Sequence, residues 1–145
     1  IGFKVPSEQT MSPSSKAIAP VPSGRRTVLY IEDNAANLEL MQMIIREEPG
    51  LELISAVDAY SGISRALESR PDLILMDINL PDISGIDAME KLKEHRETAA
   101  IPVIAVSAAA MPHEIERALD AGFQTYLTKP INVNEVLDAI RRALA

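Results

Sequence analysis

Three carboxylates, a hydroxyl and an ammonium stand directly after short apolar runs, where a folded sheet would bring their side chains to one edge. They are Glu32 and Asp33 after Thr27–Ile31, Asp77 after Asp72–Met76, Ser107 after Ile101–Val106, and Lys129 after Gln124–Leu127. Carboxylates held that close repel one another and bind protons too tightly unless a positive charge compensates. A hard divalent cation meets the need, because Mg²⁺ accepts one or two carboxylates, a backbone carbonyl and several waters. Lys129 offers a second, mobile positive charge. Together they could receive a phosphoryl group, whose oxygens a metal ion and an ammonium neutralise in line with an attacking oxygen.

An aspartate can itself be that attacking oxygen and form an acyl phosphate. Asp77 suits the role best, since Leu73, Ile74, Leu75 and Met76 make its strand central and apolar. Asp33 is then the direct metal ligand, Glu32 a ligand through water or a partner of Lys129, and Asn79 the donor of a main-chain carbonyl to the metal. Ser107 Oγ would bond a phosphoryl oxygen only after transfer. Singly, each has a plain alternative: an acidic pair is common surface decoration, a serine starts many loops, and most lysines are solvated. Their placement at successive strand ends is what makes a site.

The elements that must position them alternate in kind. Apolar, β-branched runs at Thr27–Ile31, Leu51–Ala56, Asp72–Met76, Ile101–Val106 and Gln124–Leu127 read as strands. Between them apolar residues recur every three or four positions: Leu38/Met41/Ile45, Ile63/Ala66/Leu67, Ile86/Met89/Leu92, Ile115/Ala118/Leu119 and Val133/Val136/Leu137/Ile140. Strands interleaved with helices describe an α/β (βα)5 chain with a parallel sheet, whose ligands sit beyond the carboxyl ends of the strands. The first, third and fourth strands are almost continuously apolar, as helices on both faces require, and the second and fifth read as nearer the edges. Asn34 and Asn132 are placed to cap the first and last helices, Pro49-Gly50 to end the first, and Gly122 to end the fourth.

Composition narrows the function classes. The 145 residues suffice for one core, and 47% hydrophobic with 24% charged residues is a globular balance. With 21 acidic against 14 basic side chains and 3% aromatics, a nucleic-acid surface is disfavoured. The absence of cysteine excludes disulfides and thiolate chemistry. No apolar run is long enough to span a bilayer, so a cytoplasmic domain without membrane contact is expected, even if a parent chain is membrane-anchored. Residues 1–26 hold four prolines and five serines and read as a flexible tail or interdomain linker, leaving residues 27–145 as the folded domain. The tail carries a charge of +3, so of the total of −7 the folded part carries −10.

At this point a family resemblance emerges. Val28-Leu-Tyr-Ile-Glu-Asp33-Asn, Pro71-Asp-Leu-Ile-Leu-Met-Asp77 with Pro81 and Gly85, Ile101-Pro-Val-Ile-Ala-Val-Ser107-Ala and Tyr126-Leu-Thr-Lys129-Pro130 resemble the receiver domain of bacterial response regulators and hybrid sensor histidine kinases. The resemblance implies a flavodoxin-like three-layer sandwich with strand order 2-1-3-4-5. It implies phosphotransfer to Asp77 from a phosphohistidine of a histidine kinase or a histidine phosphotransfer domain, with Mg²⁺ required and Mn²⁺ as a substitute. It also implies a cis Lys129–Pro130 bond, and a switch in which Ser107 and Tyr126 remodel the face of the fourth helix, fifth strand and fifth helix. Such a domain catalyses its own phosphorylation and dephosphorylation. Glu32, where the family often has Asp, and Ser107, where Thr is also frequent, are mild departures.

Ile-Glu-Asp-Asn-Ala-Ala-Asn with Ala108-Ala-Ala-Met111 is most similar to receivers of hybrid kinases or stand-alone receivers, and a hybrid-kinase parent is the first expectation. Ile1-Gly-Phe-Lys-Val-Pro6 is similar to the closing strand of a histidine-kinase ATP-binding domain. A stand-alone regulator and an inactive receiver-like module are the alternatives. A dehalogenase-like phosphatase would need an acid where Asn79 stands, and a flavodoxin-like cofactor domain would need a glycine-rich loop where Glu-Asp-Asn stands. Tyr30 reads as packing, and His95 and His113 as solvated surface away from the rim. The broad apolar stripe Leu38, Leu40, Met41, Met43, Ile44 and Ile45 hints at a docking face on the first helix.

Overall fold

The computed structural model describes residues 25–145. The linker at residues 1–26 and the strand-like Ile1–Pro6 therefore lie, apart from Arg25 and Arg26, outside the described residues. Five strands, β1 (Arg26–Ile31), β2 (Leu51–Ala56), β3 (Leu73–Met76), β4 (Val103–Ser107) and β5 (Thr125–Thr128), form one parallel sheet in the order β2-β1-β3-β4-β5. The order is the expected one, with β2 and β5 at the edges. Pro102, which has no N–H for a ladder, precedes β4 instead of belonging to it, although its carbonyl accepts the Ile74 N–H at 3.0 Å.

The helices are α1 (Ala35–Arg46), α2 (Ala59–Ser69), α3 (Gly85–Glu94), α4 (Arg96–Ala99), α5 (Pro112–Ala121) and α6 (Val133–Leu144). The single turn α4 was not foreseen, so the expected fourth and fifth helices are α5 and α6. It exists because His95 is extended and breaks α3, while the buried Thr98 hydroxyl donates back to the Leu92 carbonyl. Four residues are too few to display a helical period. The Asn34 and Asn132 side chains accept from Asn37 N–H and Glu135 N–H at 2.9 and 3.0 Å, and Gly122 closes α5 at φ 115°, a left-handed conformation costly to other residues.

Alternation along each strand sends its apolar side chains to opposite faces, and two cores result. Leu29, Ile31, Ile74, Met76, Val103 and Ala105 pack with α2, α3 and Ala118 of α5. Val28, Tyr30, Leu73, Leu75, Ile104, Val106 and Leu127 pack with Met41 and Ile45 of α1 and Val136 and Ile140 of α6. The apolar stripe of α1 is thereby largely consumed: Met41, Ile44 and Ile45 are buried, and Met43 alone of the stripe is exposed.

The loop between β3 and α3 is fastened at both ends. Asp82 places one carboxylate oxygen on the Ala59 N–H and the other on the Tyr60 N–H, each at 2.9 Å, and so holds the first turn of α2. Burial pushes the Asp82 carboxyl upward, but those amides, together with the Ile83 N–H and its own, outweigh it and keep the carboxyl below the ordinary aspartate range. At the other end the Gly85 N–H donates to the Ile78 carbonyl at 2.7 Å, and a Cβ on Gly85 would stand 2.8 Å from both the Asp77 carbonyl oxygen and Ile78 Cα. Both obstacles are backbone, which cannot rotate aside. Gly85→Ala is therefore expected to cost about 1–3 kcal/mol in denaturant unfolding, through a displaced loop.

Candidate functional site

Glu32 and Asp77 each lie one step past the last residue of their strand pairing, and Asp33 one step further. Ile31 pairs with Met76 across β1 and β3, so Glu32 and Asp77 emerge side by side, and both continue the ladder: the Glu32 N–H donates to the Ala56 carbonyl at 2.9 Å and the Asp77 N–H to the Ile31 carbonyl at 3.1 Å. Lys129 is carried in the same way, its N–H donating to the Ser107 carbonyl at 2.9 Å. The Lys129–Pro130 peptide bond is cis, as the resemblance implies.

The lysine ammonium lies between two buried carboxylates, 2.8 Å from Glu32 Oε1 and 2.9 Å from Asp77 Oδ2. Asp33 is exposed beside them, and Glu32, Asp33 and Asp77 each bring a carboxylate oxygen to within 4.8 Å of the others. Three carboxylates against one ammonium leave two negative charges uncompensated, and every ligand atom is a hard oxygen. This donor set fits Mg²⁺ or Mn²⁺ and not a soft metal. An exposed Asp33 leaves that side open to solvent.

Burial and charge act differently on each group. Burial pushes Asp77 upward, the Glu32 charge adds to it, and the Lys129 ammonium with the Asn79 N–H, 3.0 Å from Oδ1, offsets only part; the carboxyl stays above the ordinary aspartate range. Glu32 is also raised by burial, but Lys129, the Tyr30 hydroxyl and the Asn34 N–H outweigh that, and its carboxyl falls below the ordinary range. Burial alone would lower Lys129; the two carboxylates reverse the effect and keep it charged. Burial, then the Glu32 charge, raises Tyr30 far above a normal phenol, so it remains a hydrogen donor.

The other expected residues form a second group across the sheet. Ser107 is buried and its Oγ accepts the Ala109 N–H at 3.3 Å, while the Tyr126 hydroxyl donates to the Ala109 carbonyl. Ser107 and Tyr126 are thus tied to the two sides of one residue in the β4–α5 loop. Asn79, Tyr126 and Ala109 line a cleft of about 160 Å³ that also receives Arg117 of α5.

Several contributors escaped sequence reasoning. Tyr30, read as packing, donates its hydroxyl to Glu32 Oε1 at 2.9 Å, and the Asn37 side chain reaches the same oxygen at 3.4 Å. The signal for Tyr30 was its spacing: two residues before Glu32 on a strand means the same face. His95 stands at the α3–α4 junction and His113 in the first turn of α5. That turn follows β4, so His113 is at the rim end of its helix, not away from it, although its side chain is exposed.

Comparison with known proteins agrees with this geometry. The sequence profile of the response regulator receiver domain matches residues 28–141. The polar-differentiation response regulator DivK of Brucella anthropi is 40% identical over 119 residues, which are 82% of this chain and 96% of the relative. A response regulator from Desulfuromonas acetoxidans superposes with a TM-score of 0.76 at 31% identity, over 82% of this chain and 96% of its own. The receiver domain of a sensor histidine kinase from Pseudomonas aeruginosa, solved with magnesium in its active-site cleft, gives 0.76 at 28% identity over 83% and 98%. Among the described residues no helix is long and apolar enough to cross a membrane.

The raised Asp77 carboxyl has a consequence for stability. A carboxyl whose folded pKa lies above its unfolded value is destabilising once ionised, and the penalty disappears as pH falls below the unfolded value of about 4. In metal-free buffer near neutrality, Asp77→Asn is expected to melt at a higher temperature than the wild type. That gap should close as the pH approaches 4, and added Mg²⁺ should narrow it at neutral pH, because ligation favours the wild type. Thermal unfolding across pH, with and without Mg²⁺, measures both effects.

Proposed function

The chain belongs to the response regulator receiver family of two-component signalling, and on that premise we propose that Asp77 is its phosphoacceptor, taking a phosphoryl group from a phosphohistidine of a histidine kinase or a histidine phosphotransfer domain. The observation that carries the reading is the Lys129 ammonium held 2.9 Å from Asp77 Oδ2 inside a cluster of three carboxylates. A merely structural salt bridge would not need the uncompensated negative charge of that cluster.

In transfer, an Asp77 carboxylate oxygen attacks phosphorus, the phosphorus–nitrogen bond to the donor imidazole breaks, and the electron pair leaves on the imidazole nitrogen, which takes up a proton. The product is an aspartyl phosphate. Asp33, Asp77 and the Asn79 backbone carbonyl would hold Mg²⁺, with Glu32 acting through a bound water and Mn²⁺ as a substitute; magnesium in the cleft of the Pseudomonas aeruginosa receiver supports the assignment. Bound there, the ion supplies positive charge to the phosphoryl oxygens. Lys129 neutralises a further oxygen and orients it. Hydrolysis returns Asp77 when water attacks phosphorus and inorganic phosphate departs, so the domain catalyses both its loading and its unloading.

The output proposed is a population shift. Once Asp77 carries a phosphoryl group, Ser107 Oγ exchanges the Ala109 N–H for a phosphoryl oxygen. The Ala109 peptide then moves, and Tyr126, which holds its carbonyl, follows. The face of α5, β5 and α6 is the surface that would change its protein partners, while the exposed part of α1 is the smaller candidate.

Of the two parent architectures, the stand-alone regulator is the better supported, because DivK, itself named a response regulator, aligns over 96% of its length. The hybrid-kinase parent retains the sensor-kinase receiver at 28% identity as its support.

Intact-mass analysis after incubation with a small phosphodonor and Mg²⁺ should show one added phosphoryl group. The adduct should vanish in Asp77→Asn and under chelation, and should form about 100-fold more slowly in Lys129→Ala, as when one charge-stabilising donor is removed from a transition state. Failure of every donor to label the wild type would leave an inactive receiver-like module.

A further inference from the structure

Tyr30 takes no part in the proposed phosphotransfer, yet its hydroxyl touches the site. We propose that Tyr30 is a positioning residue, whose hydroxyl locks the Glu32 carboxylate so that Oε1 holds the Lys129 ammonium against Asp77. The inference rests on the phosphoacceptor reading for its meaning, though not for its geometry.

Glutamate at this position has one more torsion than aspartate, and a carboxylate on a longer stem swings more freely. Here it is restrained from several sides. Oε1 receives the Tyr30 hydroxyl at 2.9 Å, the Lys129 ammonium at 2.8 Å and the Asn37 amide at 3.4 Å, while Oε2 receives the Asn34 N–H at 3.2 Å. The Asn34 and Asn37 contacts belong to the exposed first turn of α1. Tyr30 differs, because its ring is fully buried in the core shared with Met41, Ile45, Leu75 and Val106. A ring walled in by that core cannot move its hydroxyl, and a buried hydroxyl keeps its partner. It therefore acts as a fixed stop for the carboxylate. Lys129, held by the same oxygen, inherits the restraint, and the distance from its ammonium to Asp77 is set partly by a residue in the middle of β1.

Tyr30→Phe keeps the ring and removes the hydroxyl. The full chain is examined in two ways. In metal-free protein, nitrogen-15 NMR of the lysine ammonium groups should give a slowly exchanging Lys129 signal that is broadened or lost in Tyr30→Phe. Calorimetric titration with Mg²⁺ should show binding about 10-fold weaker in Tyr30→Phe, the loss typical when a residue orienting a metal ligand is removed. In a Glu32→Ala background, Tyr30→Phe should leave Mg²⁺ affinity unchanged. An unaltered Lys129 signal in Tyr30→Phe, or no such signal in the wild type, overturns the proposal. So does an equal loss of affinity with and without Glu32, since the hydroxyl would then act through core packing. A wild type that binds no Mg²⁺ counts against the phosphoacceptor reading, while the Lys129 signal still decides the role of Tyr30.

Discussion

The structure depends on the electrostatic problem created when two carboxylates leave adjacent strands side by side and are both buried. Glu32 and Asp77 are separated by one strand-to-strand step, and neither can escape to solvent. Coulomb repulsion at that distance in a partly desolvated pocket would drive a proton onto one of them. Lys129 prevents this for Glu32 and only partly for Asp77, so the residue left least satisfied is the one proposed to react. A pocket with its charges fully balanced would have little use for a cation or a phosphoryl group. Here the residual negative charge favours a cation, and a cation so placed would make an anionic phosphoryl group tolerable.

The framework serves that imbalance by making it hard to relieve. Parallel strands deliver the three side chains to one rim at fixed spacing, and the loop after Asp77 is pinned by Asp82 on α2 and by the close approach of Gly85. Asn34 illustrates the economy of the arrangement: its side chain starts α1 while its own N–H binds Glu32. A helix cap and a site contact are thus one residue, and fraying of the first turn of α1 would loosen the carboxylate as well.

Most of this was legible in the sequence, for physical reasons. Alternation of apolar runs with three-to-four-residue periods specifies parallel strands and crossover helices, and the location of ligands at strand ends follows from that topology. Asp77, Lys129 and Ser107 could be singled out because each interrupts or ends an apolar run with a polar group. What escaped notice depends on distant contacts or on segments too short to show a period. Asp82 looks like an ordinary loop acid until the start of α2 is placed beside it, 23 residues away in sequence. Thr98 ends α3 from a single turn, and Ala109 has no functional group to betray that both its peptide sides are engaged. Tyr30 looked apolar because its surroundings are; only the two-residue spacing to Glu32 pointed elsewhere.

The two-faced alternation of the strands has a further consequence. Tyr30, Glu32, Asp77 and Lys129 share the parity of the residues packed under α1 and α6, whereas Ser107 and Tyr126 share that of the residues under α2, α3 and α5. The sheet is in effect a partition one backbone thick, with the buried charged groups in one room and the hydroxyl pair in the other. Traffic between them is confined to the doorway at the strand ends. Substitutions deep in either room can then drift separately, so the packing behind the hydroxyl pair can change without disturbing the buried charges on the other side of the sheet.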